Sequence, residues 1–286
     1  MEQDLAIIVD GSYFVHRAWH IVHPLAHNQS VCKTPTNVVH GFLRAFGSLI
    51  QRFEPKYVSV VFDSPEPTFR HVLHDGYKAN RPEHPKDLLK QLEFLTRLLP
   101  AMGYTTSIHP GIEGDDIIGT LAVKFEELGH RVIIATGDKD ITQVVTENVR
   151  IEKNQASPLM TVDGVIEKFG VRPNQIAHYL ALMGDVVDGI SGVPGFGAKT
   201  AAKWINNWGD INGIKDAFEH GIMSIKEASM IKDHIDRLDL NLKLTTIVTT
   251  EELGFEESAF VVMPRNTKEV AVIAKELNMS YQINQY

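Results

Sequence analysis

Three short apolar runs, each ending in an acid, constrain the fold of this chain most: "LAIIVDG" at 5–11, "YVSVVFD" at 57–63 and "RVIIATGD" at 131–138. They are β-branched and continuous in hydrophobicity, the pattern of strands buried on both faces. Helical patterns lie between them. Val39, Phe42, Leu43, Phe46, Leu49, Ile50 and Phe53 recur near 3.6-residue spacing in 38–53, and Leu88, Leu92, Leu95 and Leu99 do so in 88–99. Residues 115–128 read as a third helix. Strands alternating with helices predict an α/β fold, a mostly parallel twisted sheet flanked by helices. In open sheets of this kind ligands bind at the carboxyl ends of the strands. Asp10, Asp63 and Asp138 all fall there.

The alternation stops near residue 161. "TVDGVIEKFG", "PNQIAHYLALMGD", "GAKTAAKWINNWG", "DINGIKDAFEHG" and 224–244 read as helices broken by glycine. The expected organisation is an α/β core over 1–160 and a helical region over 161–286. No repeat, low-complexity tract or flexible linker separates them, so the helices are expected to pack directly on the sheet.

Composition excludes several classes. The 286 residues carry 43% hydrophobic and 22% charged side chains, ordinary for a soluble globular protein. No apolar run approaches the roughly 18 residues of a membrane span. The N-terminus "MEQDLAIIVDG" has acids where a signal peptide would be basic. Cys32 is the only cysteine, which rules out an intramolecular disulfide or a cysteine zinc site. A reducing, cytoplasmic location is expected, with no membrane partner.

The stretch "GIEGDDIIG" crowds Glu113, Asp115 and Asp116 at the head of a helix. One acid there favours the macrodipole by roughly 0.3–1 kcal/mol, whereas three adjacent acids also repel. Further acids stand at element ends: Asp138 and Asp140 in "TGDKD", and Asp185 and Asp188 in "MGDVVD", besides Asp10 and Asp63. At i and i+3, Asp185 and Asp188 share a face if their segment is helical. A single acid of this sort is more often a cap or a solvated group. Nine together, all oxygen donors without histidine or cysteine, suit a hard cation such as Mg²⁺ or Mn²⁺. The net charge of −8 argues at first against a nucleic-acid partner. Set those nine of the 36 acids aside, however, and 27 acids face 28 Lys and Arg. The acidity then belongs to a site, and phosphate is not excluded.

"GVPGFGAKTA" (192–201) invites a nucleotide-binding reading that fails. A phosphate-binding P-loop is G-x-x-x-x-G-K-[ST] after a strand. Here Lys199 comes one residue late and a helix precedes the loop.

The series "VDGS", "VVFD", "TFR…YKANRP", "GIEGDD", "TGDKD", "LALMGD" and "GVPGFGAKTA", in this order, closely resembles the 5′-nuclease domain of bacterial DNA polymerase I and its stand-alone bacterial and phage relatives in the flap-endonuclease superfamily. The resemblance covers nearly the whole chain. It implies a 5′-nuclease core and a structure-specific, divalent-metal-dependent enzyme hydrolysing DNA phosphodiesters, a 5′→3′ exonuclease and 5′-flap endonuclease working with two metal ions. By that resemblance Asp10, Asp63, Glu113, Asp115 and Asp116 lie toward one ion, and Asp138, Asp140, Asp185 and Asp188 toward the other. Mg²⁺ is the expected cofactor, with Mn²⁺ as a substitute. Segment 66–90, with Arg70, Lys78, Arg81 and Lys86, would form an arch over the metals, which in isolation would pass for a solvated loop. Lys78 and Arg81 would stabilise charge on the scissile phosphate. Arg70, Tyr77 and Arg17 would contact DNA, while His16 stands where relatives usually carry an aromatic residue.

The glycine-rich turn would belong to a helix–hairpin–helix, or helix–three-turn–helix, over about 174–208. Gly192, Gly195, Gly197, Lys199, Thr200 and Lys203 would grip duplex phosphates there, with K⁺ in the loop. "DGIS" and "VV" depart from the common "DNIP" and from the small polar residues usual between Asp185 and Asp188. The expected partner is DNA with 5′ ends, flaps or nicks, bound by a monomer of a bacterial or phage-infected cell, with no polymerase in this chain. Two alternatives stand beside it: a PIN-type ribonuclease, and a catalytically weak structure-specific DNA-binding protein. The balance of exonuclease and endonuclease activity stays open.

Overall fold

The computed structural model describes residues 3–21, 35–279 and 283; Cys32 lies outside them. The first half runs β1 (Leu5–Asp10), α1 (Gly11–Ile21), α2 (Asn37–Phe53), β2 (Tyr57–Val61), α3 (Phe69–Leu73) and α4 (Lys86–Ala101). It continues through β3 (Thr105–Ser107), α5 (Gly114–Glu127), β4 (Arg131–Ala135) and β5 (Val149–Glu152). The five strands form one parallel sheet in the order β3-β2-β1-β4-β5. The chain moves outward from β1 to β3, then crosses back to β4 on the other side of β1. The order therefore reverses beside β1, and the carboxyl ends of β1 and β4 open a crevice at that switch point.

The two faces of β1 feed two cores, as the period of two requires. Ile7 and Val9 join Val58 and Val60 under α1, α2, α4 and the last helix. Ala6 and Ile8 pack with Ile117, Leu121 and Phe125 of α5 on the opposite face. That second core continues without a break into the helical half. There follow α6 (Val162–Phe169), α7 (Ile176–Met183), a two-strand hairpin of β6 (Gly184–Asp185) and β7 (Ile190–Ser191), α8 (Ala198–Trp208), α9 (Ile211–Glu219), α10 (Ile225–Ile231), α11 (Leu238–Thr245) and α12 (Thr267–Glu276). Tyr179, Leu180, Trp204, Ile205 and Ile214 share one cluster with the sheet residues. The helices thus lie directly on the sheet, as the lack of a linker implied.

Two readings need correction. The Asp185–Asp188 segment is the turn of the β6–β7 hairpin, not helix: Gly184 ends α7 with a left-handed φ of 78°, and the Asp185 carboxylate caps the turn. Residues 224–244 divide into α10, a 3₁₀ turn at Ile235–Arg237 and α11. Among the described residues no helix is long and apolar enough to cross a membrane.

Candidate active site

The acids at the carboxyl edge fall into two chemical groups. In the first, they crowd one another. Asp10 closes β1, so its side chain points into the crevice beside β4. Its Oδ1 accepts from the Tyr13 amide at 2.8 Å and its Oδ2 from the Thr136 hydroxyl at 2.7 Å. Asp63, just beyond β2, accepts from the Gly114 amide at 2.8 Å and so caps α5. A Cβ at Gly114 would stand 2.8 Å from that same carboxylate oxygen, which explains the glycine between Glu113 and Asp115. Asp115 rides the first turn of α5. Asp138 follows β4; its amide donates to Thr136 and its Oδ1 accepts from the Asp140 amide at 2.8 Å.

Charge repulsion marks these groups as neighbours. Burial, with Asp63 and Asp138 nearby, pushes the Asp10 carboxyl up to about 7 against the pull of Thr136 and Tyr13. Asp115 is raised well above the usual carboxylate range by burial and then by Asp138, Asp10 and Asp63. Burial and Asp138 push Asp140 up to about 7 as well. Asp140 Oδ1 is buried without a hydrogen-bond partner. Each of these features costs free energy that a cation would recover.

The second group is already neutralised. Arg70, in α3, is 3% exposed and grips Asp116, 1% exposed, through both carboxylate oxygens at 2.6 and 2.8 Å. Two further N–H groups reach the Leu244 carbonyl at 3.0 Å and the Thr246 carbonyl at 2.6 Å. Asp116 Oδ1 also accepts from the Val248 amide at 2.8 Å. Two expectations are corrected by this geometry. Arg70 is an interior tie and presents no donor to DNA. Asp116 is buried in a two-point pair with the Arg70 guanidinium, so its charge is already balanced by that tie.

Glu113 is held similarly. Thr68 donates to its Oε1 at 2.9 Å, while Tyr77 and Lys78 both donate to Oε2 at 2.9 Å. Burial raises its carboxyl, but Lys78 and Arg70 more than reverse this and hold it below the ordinary range. The Tyr77 ring is buried with its hydroxyl on Glu113, so it too is corrected from a DNA contact to a support of the arch base.

Segment 66–90, expected to form the arch, meets the β6–β7 hairpin. The Lys78 amide donates to the Asp188 carbonyl at 3.0 Å, and Lys78 itself holds a left-handed φ of 54°. A non-glycine residue pays roughly 1–3 kcal/mol for such a conformation, the kind of strain kept where a side chain must be aimed. Gly189 approaches so closely that a Cβ would stand 2.2 Å from the Gly76 carbonyl. Arg81 pairs with Asp188, and Lys139 with Asp185 at 2.6 Å. Burial opposes ionisation of Asp185, yet the Lys139 bond and two backbone amides hold its carboxyl below the usual range. The His16 and His84 rings lie 4.9 Å apart, so the far end of the arch rests on α1.

The remaining basic residues expected to meet DNA lie on other elements. Arg17, half-buried on α1, has no ion-pair partner among the described residues, and Lys86 opens α4 in solvent. Lys199 and Lys203 are exposed on α8. Thr200 between them is half-buried, Gly197 caps the helix, and Gly195 has a φ of 82° within the preceding turn, which Gly192 begins. Sequence reasoning missed Thr136, which orients Asp10 and the Asp138 loop, and Lys139, which neutralises Asp185. Both sit inside the quoted "TGDKD", where an interposed lysine between two acids was the available signal.

Among the described residues no three of these side chains already converge at ion-holding distance. The donors nevertheless fit a hard cation. They are all oxygens, one is an orphaned buried oxygen, and three carboxyls are pushed up by burial and then by neighbouring acids.

A fold of this form recurs in nucleases. The 5′-exonuclease of bacteriophage T5, solved with zinc, superposes with a TM-score of 0.69 over 96% of this chain and 99% of that one at 22% identity. The catalytic core of Rad2 in complex with DNA superposes with a TM-score of 0.63 over 99% of this chain and 89% of that one at 16% identity. Sequence is more specific. The 5′-3′ exonuclease N-terminal resolvase-like domain matches residues 5–170, and the 5′-3′ exonuclease C-terminal SAM fold matches 171–268. A 5′-3′ exonuclease of Aquifex aeolicus is 35% identical over 272 residues, 95% of this chain and 91% of that protein. DNA polymerase I of Pseudomonas aeruginosa is 37% identical over 268 residues, 90% of this chain but 28% of the polymerase. The chain belongs to the 5′-3′ exonuclease family and is a nuclease of that class.

Proposed function

We propose that this protein hydrolyses DNA phosphodiesters at 5′ ends, nicks and 5′ flaps, with divalent ions held by the crowded acids. The observation that carries this reading is the set of buried Asp10, Asp115 and Asp140, whose carboxyls are raised by burial and by the Asp138 charge they share, with Lys78 and Arg81 paired to the nearby Glu113 and Asp188. Asp10, Asp63, Asp115, Asp138 and Asp140 would hold Mg²⁺, or Mn²⁺ in its place. Asp185 and Asp188 would join them once Lys139 and Arg81 turn to phosphate. Bound there, a pair of ions supplies an activated water and charge stabilisation for the leaving oxygen.

The chain's own groups do the rest. Thr136 and the Tyr13 amide fix both oxygens of Asp10, so that acid needs no reorganisation. Lys78 and Arg81 rest on Glu113 and Asp188, pre-positioned to meet a phosphate whose charge grows in the transition state. Arg70 and Asp116 lock the arch base to α5 and to the α11 exit. Lys199, Lys203 and the glycine turn at 192–197 would hold duplex phosphates, with K⁺ at that turn, and the protein would act as a monomer in the cytoplasm.

A 5′-flap DNA, a nicked duplex and a matched RNA, each with Mg²⁺ and with EDTA, test the reading. Mg²⁺-dependent release of a 5′ fragment from DNA is expected. Metal-independent cutting, preference for RNA, or binding without cleavage would each overturn it.

A further inference from the structure

Val186 and Val187, at the tip of the β6–β7 hairpin, are 89% and 68% exposed, although they stand between two acids of the active site. Isolated exposed valines are unremarkable. These two are adjacent, and the loop that bears them is held firmly. Asp185 Oδ1 accepts from the Val187 amide at 2.9 Å and from the Asp188 amide at 3.4 Å. The Gly189 amide donates to the Val186 carbonyl at 3.3 Å, and Asp188 is tied to the Lys78 amide of the arch. The loop therefore holds a fixed shape that presents apolar surface to solvent at the mouth of the site.

Charge frames that surface. Lys139 sits on Asp185 at one side and Arg81 on Asp188 at the other. A polyanion with apolar faces between its charges matches this arrangement: phosphates toward the two cations, sugar and base toward the valines. β-branched side chains have little rotamer freedom to lose, so such a contact costs little entropy. We infer that Val186 and Val187 are positioning residues, an apolar ledge that packs against the deoxyribose and base of the nucleotide next to the scissile phosphate. This rests on the nuclease reading above and adds a contact that is independent of charge.

The test uses the full chain and a 5′-flap DNA carrying 2-aminopurine beside the cut bond, in Ca²⁺ with cleavage monitored on gels. In Val186→Ser/Val187→Ser the melting temperature should match the parent, since both side chains are solvated. Flap affinity should weaken about tenfold through lost apolar burial, and the fluorescence change on binding should largely disappear. The salt dependence of binding should stay that of the parent, because no charge is removed. Val186→Ile/Val187→Ile should keep both affinity and fluorescence. A double-serine variant with parental affinity and fluorescence overturns the inference, as does an affinity loss that comes with a smaller salt slope. If the parent itself neither binds nor cuts the flap in Mg²⁺, it is the nuclease reading that fails. If the parent cuts and the double-serine variant is indistinguishable from it, only the ledge falls.

Discussion

Arg70→Met removes the tie on which the arch, α5 and the end of α11 converge. The guanidinium makes a two-point bond to Asp116 and two bonds to the Leu244 and Thr246 carbonyls, all of them in the interior. Without it, the buried Asp116 carboxylate keeps only the Val248 amide. Breaking a buried pair by deleting one partner costs about 3–5 kcal/mol. Each carbonyl left without a donor adds about 1 kcal/mol or more. A loss near 5 kcal/mol is expected, a large part of the roughly 5–15 kcal/mol that holds a typical protein folded. Urea unfolding followed by circular dichroism, in EDTA at neutral pH, measures it. Arg70→Met/Asp116→Leu should recover most of the loss, since replacing a buried pair by apolar residues is often neutral. A cost under about 1 kcal/mol for Arg70→Met, together with a flatter salt dependence of flap binding, would make Arg70 a phosphate contact and refute its interior role.

Three further outcomes follow from the same geometry. In EDTA the protein should lose stability as pH rises from about 4 to about 7, because folded Asp10 and Asp140 keep protons to about 7 that the unfolded chain releases near 3.8. Thermal melts across that window check the sign, and Asp140→Asn should soften the fall and stabilise the metal-free form. Lys78→Ala should lower the single-turnover rate by on the order of a hundredfold with little change in flap affinity, as quench-flow would show. Lys199→Ala should instead weaken duplex binding and reduce the salt slope by about one unit, read from titrations at several salt concentrations.

The parts of this site legible in the sequence were those with a local signature. Strand-end acids announce themselves because a continuous apolar run that stops at Asp10 or Asp63 specifies both burial and edge. The glycine turn before Lys199 likewise sits where its spacing indicated. Arg70 was misread because its environment is assembled from afar: Asp116 lies 46 residues away and the Leu244 carbonyl 174. A cation in a polar, proline-containing segment reads as solvated unless those partners are known. Asp185 and Asp188 were ambiguous for a different reason, since i and i+3 spacing serves both a helix face and a capped turn. The glycines on either side, Gly184 and Gly189, were the hint of a turn. β3 and β5 escaped notice because three and four residues, "TTS" and "VRIE", are too short for periodicity to show.

The central claim is that the crowded acids at the β1–β4 switch point hold the catalytic ions. Titration of Mn²⁺ followed by electron paramagnetic resonance counts bound ions directly, without turnover or DNA. The parent should bind more than one ion, and Asp10→Asn/Asp115→Asn, folded by circular dichroism, should lose at least one of them. Equal ion binding by the parent and the double variant would contradict the account.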